Sequence, residues 1–182
     1  MRIIAGKWRG KTLTPPPSNT IRPTSDKSRQ ALFNMLESRT SLSGKTILDV
    51  FCGTGALGLE ALSRGANHAV FIDTDIKLCK KNVRLLGAES QATLRQKNAL
   101  STPEKDTDNA DIVLMDPPYS ENLVPQTLEA LLPLLKQGCL IAIETEKSFP
   151  AENLPFTVQT IPMTLLSQKT HGAAILSLLQ KN

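Results

Sequence analysis

A chain of 182 residues with 40% hydrophobic and 21% charged side chains has the size and apolar content of one globular domain with a short appendage, not of a disordered polypeptide. No apolar run approaches the roughly eighteen residues that a membrane-spanning helix needs, and the apolar stretch at the start is too short for a secretory signal, so the cytoplasm is the expected compartment. The formal net charge of +4 is unevenly placed: residues 1–29 carry seven basic groups against Asp26 alone, a net of +6, while the remainder carries 14 basic and 16 acidic groups.

That basic excess sits on Arg2, Lys7, Arg9, Lys11, Arg22, Lys27 and Arg29. A segment of this kind attracts phosphates and gains free energy by releasing their counterions. Arg2, Lys7, Arg9, Lys11, Arg22 and Arg29 are therefore the candidate contacts to a nucleic-acid phosphate backbone. Residues 2–13 read as a β-hairpin: apolar Ile3-Ile4-Ala5, a Gly-Lys turn, then Trp8 to Leu13. Pro15-Pro16-Pro17 cannot continue a strand and marks a linker. Thr24 or Ser25 can cap a helix that runs to about Leu36. Its Ala31, Leu32, Met35 and Leu36 share one face, with Phe33 to the side. Residues 1–40 are thus expected to form a basic extension, and residues 41–182 the main domain.

From Lys45 onward, short apolar runs alternate with helical patterns. Strand-like runs fall at 46–51, 69–73, 92–96, 111–116 and 138–145, and helical patterns at roughly 56–65, 76–87 and 121–136. Regular β-α-β alternation implies a parallel sheet covered by helices. Two further runs, at about 156–166 and 173–180, have no helical pattern between them and read as an antiparallel hairpin added to the sheet. Cys52, Cys79 and Cys139 show no C-x-x-C pairing, and only His68 and His171 could assist as imidazole ligands, so neither a metal site nor a disulfide framework is expected.

Asp49-Val-Phe-Cys-Gly53-Thr-Gly55-Ala-Leu-Gly58 stands where the first strand becomes the first helix. Without a Cβ, Gly53 and Gly55 allow a tight turn and a close approach to a ligand. Asp73, at the end of the second strand, is placed to accept hydrogen bonds from ribose hydroxyls. The pattern also occurs in dinucleotide-binding domains, but these set a pyrophosphate at the helix N-terminus. Asp49 at the mouth of the site opposes a pyrophosphate and suits a ligand bearing an ammonium and a sulfonium, which favours S-adenosylmethionine. Asp49 as an acid that merely braces the loop is the alternative. Asn98-Ala99, past the third strand, would lie beside the same site, and Asn98 reads either as a contact to adenine or as an ordinary turn residue.

The fourth strand ends in Asp116-Pro117-Pro118-Tyr119. Strands one and four should be neighbours where the winding reverses, the point at which ligands bind. The prolines stiffen the backbone and leave a carbonyl without a competing local N–H. The Pro117 carbonyl and the Asp116 carboxylate can then accept both hydrogens of a planar amine, and Tyr119 can stack on an extruded base. Catalysis would come from orientation and from acceptors placed where charge develops on nitrogen.

The opening RIIAGKWRGK, the segment Arg22-Pro23-Thr24 followed by Ser28-Arg29-Gln30-Ala31-Leu32-Phe33-Asn34, the run DVFCGTGALGLEALSRGA and Asp116-Pro-Pro-Tyr together resemble the bacterial 16S rRNA (guanine-N2)-methyltransferase family over nearly the whole chain. The resemblance implies an α/β, seven-stranded Rossmann-like class I methyltransferase sheet, mostly parallel with an antiparallel C-terminal strand and an N-terminal β-hairpin extension. It also implies N2-methylation of one guanine in 16S rRNA of the small ribosomal subunit, by a protein expected to be a monomer without metal. The cofactor set becomes Asp49, Phe51, Cys52, Gly53, Thr54, Gly55, Asp73, Asn98 and Ala99, and the amine site Asp116, Pro117, Pro118 and Tyr119. The Arg22-Pro23-Thr24 stretch resembles a segment that lies over the cofactor pocket. Gln30 and Asp73 stand where the family often has glutamate, and His171 where it often has an aromatic.

Four rival readings share parts of this pattern. A DNA adenine-N6 or cytosine-N4 methyltransferase uses the same amine chemistry but needs a means of reading sequence, and few residues lie outside the sheet. RNA recognised by shape makes smaller demands. A protein glutamine-N methyltransferase also uses such a turn, and the +6 extension speaks against it. A nicotinamide-dependent oxidoreductase is opposed by Asp49, and a non-catalytic RNA-binding module by the intact Asp-Pro-Pro-Tyr.

Overall fold

The computed structural model describes residues 1–16, 25–101, 104–118, 123–147, 157–158 and 161–182. Its strands are β1 (Thr46–Val50), β2 (His68–Asp73), β3 (Ala92–Gln96), β4 (Ile112–Met115), β5 (Leu140–Glu146), β6 (Thr157–Val158), β7 (Ile161–His171) and β8 (Ala174–Lys181). Its helices are α1 (Asp26–Glu37), α2 (Ala56–Ser63), α3 (Lys77–Leu85), α4 (Glu104–Thr107) and α5 (Leu123–Leu131). They build one sheet in the order β3-β2-β1-β4-β5-β8-β7-β6. Strands β1 to β5 pair in parallel, and β8, β7 and β6 follow antiparallel. This is the seven-stranded mixed sheet that the sequence implies, with the two-residue β6 added at its outer edge.

Alternate residues of each central strand feed opposite faces, as the pleat requires. Ile47, Phe71, Leu114 and Ala142 pack with α1, α2 and α3 on one side, whereas Leu48, Ile72, Val113 and Ile143 pack with α5 on the other. With both faces covered, the strands read as nearly continuous apolar runs. The helix expected at 121–136 is shorter, because Pro133 falls where a longer helix would need its backbone N–H. Instead the chain tightens into a 3-10 turn at Leu132–Leu134. Helix α4 has no counterpart among the helical patterns of the sequence.

Helix α1 is capped as expected by Ser25, whose side chain accepts from Ser28 N. Its buried face is Ser28, Arg29, Leu32, Phe33, Met35 and Leu36. Phe33, expected to the side, is completely buried, and Ala31 lies at the margin.

The N-terminal hairpin has a single bridge, Arg2 to Thr12, supported by Ile3 N to Lys11 O at 2.9 Å and Gly10 N to Ile3 O at 2.9 Å. Four further backbone N–H groups turn to α2. Ile4 N and Ala5 N donate to the Glu60 carboxylate at 2.7 and 3.0 Å, and Lys7 N and Trp8 N donate to Ser63 at 2.8 and 3.0 Å. Ile3 and Leu13 join the same apolar cluster as α1 and α2. At Gly6 the approach is so close that a Cβ would fall 1.8 Å from the Ser63 carbonyl oxygen. The extension is packed into the body of the fold.

Candidate active site

The register of the sheet fixes the site. Val50 of β1 lies between Ile72 of β2 and Met115 of β4, so the loop after β1 emerges between Asp73 and Asp116. This is the carboxyl end of the parallel strands, where the winding reverses. After Val50 the backbone takes left-handed conformations at Phe51 (φ +60°), Gly53 (φ +52°) and Gly55 (φ +77°). A phenylalanine rarely adopts such a φ, and strain of this kind persists where the surroundings impose it, often beside a ligand. A Cβ at Gly53 would meet nothing nearer than Phe51 O at 4.0 Å, leaving open space in front of the backbone.

Three atoms of this turn are already held. Gly53 N donates to Asp73 Oδ2 at 2.8 Å, Gly55 N donates to Cys52 O at 2.7 Å, and Thr54 O accepts from Asn82 Nδ2 at 2.9 Å. Asp73 Oδ1 accepts from Asp75 N at 3.1 Å, so Asp73 orders its own loop as well as the glycine turn. It is half-buried and retains acceptor capacity towards the site.

Asp49 is buried and points to α2, where its Oδ2 accepts from Gly58 N at 2.8 Å. That bond realises the bracing alternative for this residue. Burial pushes its pKa up to about 8; the Gly58 bond opposes the rise, and the charges of Asp116 and Asp73 add to it. Asp49 therefore senses both neighbouring charges, and a cation placed beside it would favour its ionised form.

Asn98 is exposed, and its Oδ1 accepts from Leu100 N at 3.0 Å, capping the 3-10 turn at Ala99–Ser101. This is the behaviour of an ordinary turn asparagine. Ala99 beneath it is buried. Asp116 is half-buried directly after β4, Pro117 is buried and Pro118 exposed. Tyr119 lies outside the described residues, as do Arg22, Pro23 and Thr24.

The basic set divides. Arg2, Lys7, Arg9 and Lys11 are exposed; Arg2 leans towards Asp26 at 3.4 Å, and the Lys7 ammonium lies 4.2 Å from the Trp8 ring centre. Arg29 corrects the sequence expectation. Its side chain is 0% exposed, and it donates to the Arg2 carbonyl and to Asp26 Oδ1 at 2.9 Å, with Glu60 at 3.9 Å. Three residues before Leu32 and four before Phe33, it falls on the buried stripe of α1. Arg29 ties α1 to the extension and presents no charge to a ligand.

Sequence reasoning missed Glu60 and Ser63, which hold the extension to α2, and Asn82, which links it to the cofactor loop. Glu60 carried a usable signal, being the one charged residue in the otherwise apolar stretch Ala56–Leu62. A cleft of about 420 Å³ lined by Arg39, Lys45, Asp111 and Lys136 opens where β1, β4 and β5 begin. It lies at the opposite end of the strands from this site.

The sequence model of a family described as "Conserved hypothetical protein 95" matches residues 1–180. Ribosomal RNA small subunit methyltransferase D of Haemophilus influenzae is 36% identical over 180 residues, covering 94% of this chain and 89% of that protein. The chain belongs to the methyltransferase D family. The Escherichia coli K12 member is 37% identical over 150 residues, covering 80% of this chain and 75% of its own length. A solved structure of the Escherichia coli protein yhhF superposes with a TM-score of 0.83 at 32% identity, covering all of this chain and 97% of that one.

As a methyltransferase of this fold the chain uses S-adenosylmethionine as its methyl donor, and its residues fit that group. The open space at Gly53 would admit a ligand against the backbone, Asp73 beside it would take hydroxyls, and the carboxylates of Asp73 and, once ionised, Asp49 would offset the charge of a bound sulfonium. Among the described residues no helix is long and apolar enough to cross a membrane.

Proposed function

We propose that this chain transfers a methyl group to the exocyclic N2 of one guanine in 16S rRNA of the small ribosomal subunit. The observation that carries the reading is the pairing of Val50 with Met115, which sets the cofactor loop and the Asp116-Pro117-Pro118 turn side by side. The relatives' names concern small-subunit ribosomal RNA, and exposed Lys7, Arg9 and Lys11 give the extension the charge that a phosphate backbone attracts.

The donor brings an already activated methyl, so the chain's task is placement. Asp116 and the Pro117 carbonyl accept the two amine hydrogens and orient the nitrogen lone pair. The Asp116 carboxylate also offsets positive charge as it develops on nitrogen, and a proton then leaves to it or to water. Tyr119 follows in sequence, where a ring would stack on the base.

The test is to incubate the purified chain and labelled S-adenosylmethionine with small subunits lacking the modification, then digest the RNA for mass spectrometry. N2-methylguanosine at a single position is the expected product. Label in adenine or cytosine of duplex DNA, or in protein after ribonuclease treatment, would replace this reading with one of its rivals.

A further inference from the structure

Asn82 of α3 is fully buried, and its amide joins two segments far apart in the chain. Its Oδ1 accepts from Thr14 N at 2.8 Å, and its Nδ2 donates to Thr14 O at 3.2 Å and to Thr54 O at 2.9 Å. Thr54 is the middle residue of the cofactor turn, and its hydroxyl also donates to Met1 Sδ at 3.4 Å. The extension therefore reaches the turn twice, once through Met1 and once through Asn82. On the same buried face of α3, Cys79 and Val83 are apolar, and a third apolar residue at 82 would pack there without needing partners. A buried amide is costly unless its hydrogen bonds are met, and here they are met only while Thr14 and Thr54 hold their places.

We propose that Asn82 is a positioning residue for S-adenosylmethionine: it fixes the Thr54 carbonyl to the docked extension, which makes the extension part of the cofactor-binding machinery. This inference does not depend on which base is methylated. Gly53 N and Gly55 N are held from within the site by Asp73 and by Cys52 O, so it is the Thr54–Asn82 bond that ties the backbone of the turn to α3 and, through Thr14, to the extension. Without that bond the Thr54–Gly55 peptide keeps only its Cys52 anchor, and the open face at Gly53 is less firmly held.

The experiment is calorimetric titration of S-adenosylmethionine into the full chain, with thermal melts to establish the folded fraction. Asn82→Ala raises Kd about tenfold, the change that losing one buried hydrogen bond produces. Asn82→Asp keeps an acceptor for Thr14 N but loses both donations, and moves Kd in the same direction. Gly6→Ala, whose Cβ would meet Ser63 O at 1.8 Å, loosens the extension away from the turn and raises Kd severalfold. Leu36→Ala, a buried change on α1 in the same apolar cluster that removes none of these hydrogen bonds, lowers the melting temperature and leaves Kd unchanged. Wild-type Kd in folded Asn82→Ala or Asn82→Asp overturns the proposal, as does an equal rise in Leu36→Ala. If Asn82→Ala fails to fold, Asn82→Asp and Gly6→Ala decide it, and wild-type Kd in both overturns it.

Discussion

Gly58 donates its backbone N–H to the Asp49 carboxylate at 2.8 Å, and the absence of a side chain on the glycine is what leaves room for that carboxylate. A Cβ at Gly58 would lie 2.4 Å from Phe71 Cε1 and 2.9 Å from Asp49 Oδ2. The last glycine of the G-x-G-x-x-G pattern is thus a packing residue, while the first two shape the turn.

Gly58→Ala sets two effects against each other. Alanine gains about 1 kcal/mol of helix propensity, whereas overpacking against a buried ring costs about 1–3 kcal/mol. The clash prevails: we expect lower stability in urea and weaker S-adenosylmethionine binding. A stabilised Gly58→Ala protein with unchanged affinity would show that Phe71 can yield.

Asp49 makes stability depend on pH in an unusual direction for a carboxylate. Its folded pKa is about 8 against an ordinary 3.8. Between these values the folded chain holds a proton that the unfolded chain has released, so stability declines as pH rises from about 4 to 8. Asp49→Asn keeps an acceptor for Gly58 N and should flatten that decline in thermal melts of the ligand-free protein. Because a cationic ligand favours ionised Asp49, binding at pH 7 should also release a proton. Calorimetry in buffers of different ionisation enthalpy will detect it.

Asp116→Ala should retain cofactor affinity within about threefold while slowing methyl transfer by on the order of a hundredfold or more. Single-turnover rates at saturating cofactor separate the two. Undiminished turnover would remove Asp116 from the amine site.

Arg9→Glu with Lys11→Glu should weaken RNA binding and reduce its dependence on salt, by about 0.7–0.9 in log–log slope for each phosphate that is no longer neutralised. Arg29→Ala should act differently. It leaves buried Glu60 with one cation fewer and should cost about 3–5 kcal/mol of stability, with the salt slope of the remaining folded protein unaltered. A changed slope in Arg29→Ala would contradict the burial of that side chain.

The sheet was legible because strands and helices impose different periods, and the switch point was legible because strand-end motifs mark it: Asp49 to Gly58 after β1, Asp73 ending β2, and Asp116-Pro117-Pro118 after β4. The hairpin was legible as an element but not as a partner. Four of its backbone N–H groups bond to Glu60 and Ser63, fifty-five or more residues away, and no local pattern encodes that. Arg29 was misread because charge counted for more than position, although its spacing from Leu32 and Phe33 marked it as buried. Asn98 reads both ways in the sequence, and its cap to Leu100 N follows the plainer one.

The cleft of about 420 Å³ beside Lys45 and Lys136 bears on inhibitor design. Asp111 already draws both lysines, at 3.5 and 2.8 Å, so an anionic compound chosen for shape would seat there in competition with an internal carboxylate. Such a compound would occupy the far end of the strands and leave the donor loop exposed. Screening should therefore be scored by displacement of S-adenosylhomocysteine, because occupancy of that cleft says nothing about blocking the reaction.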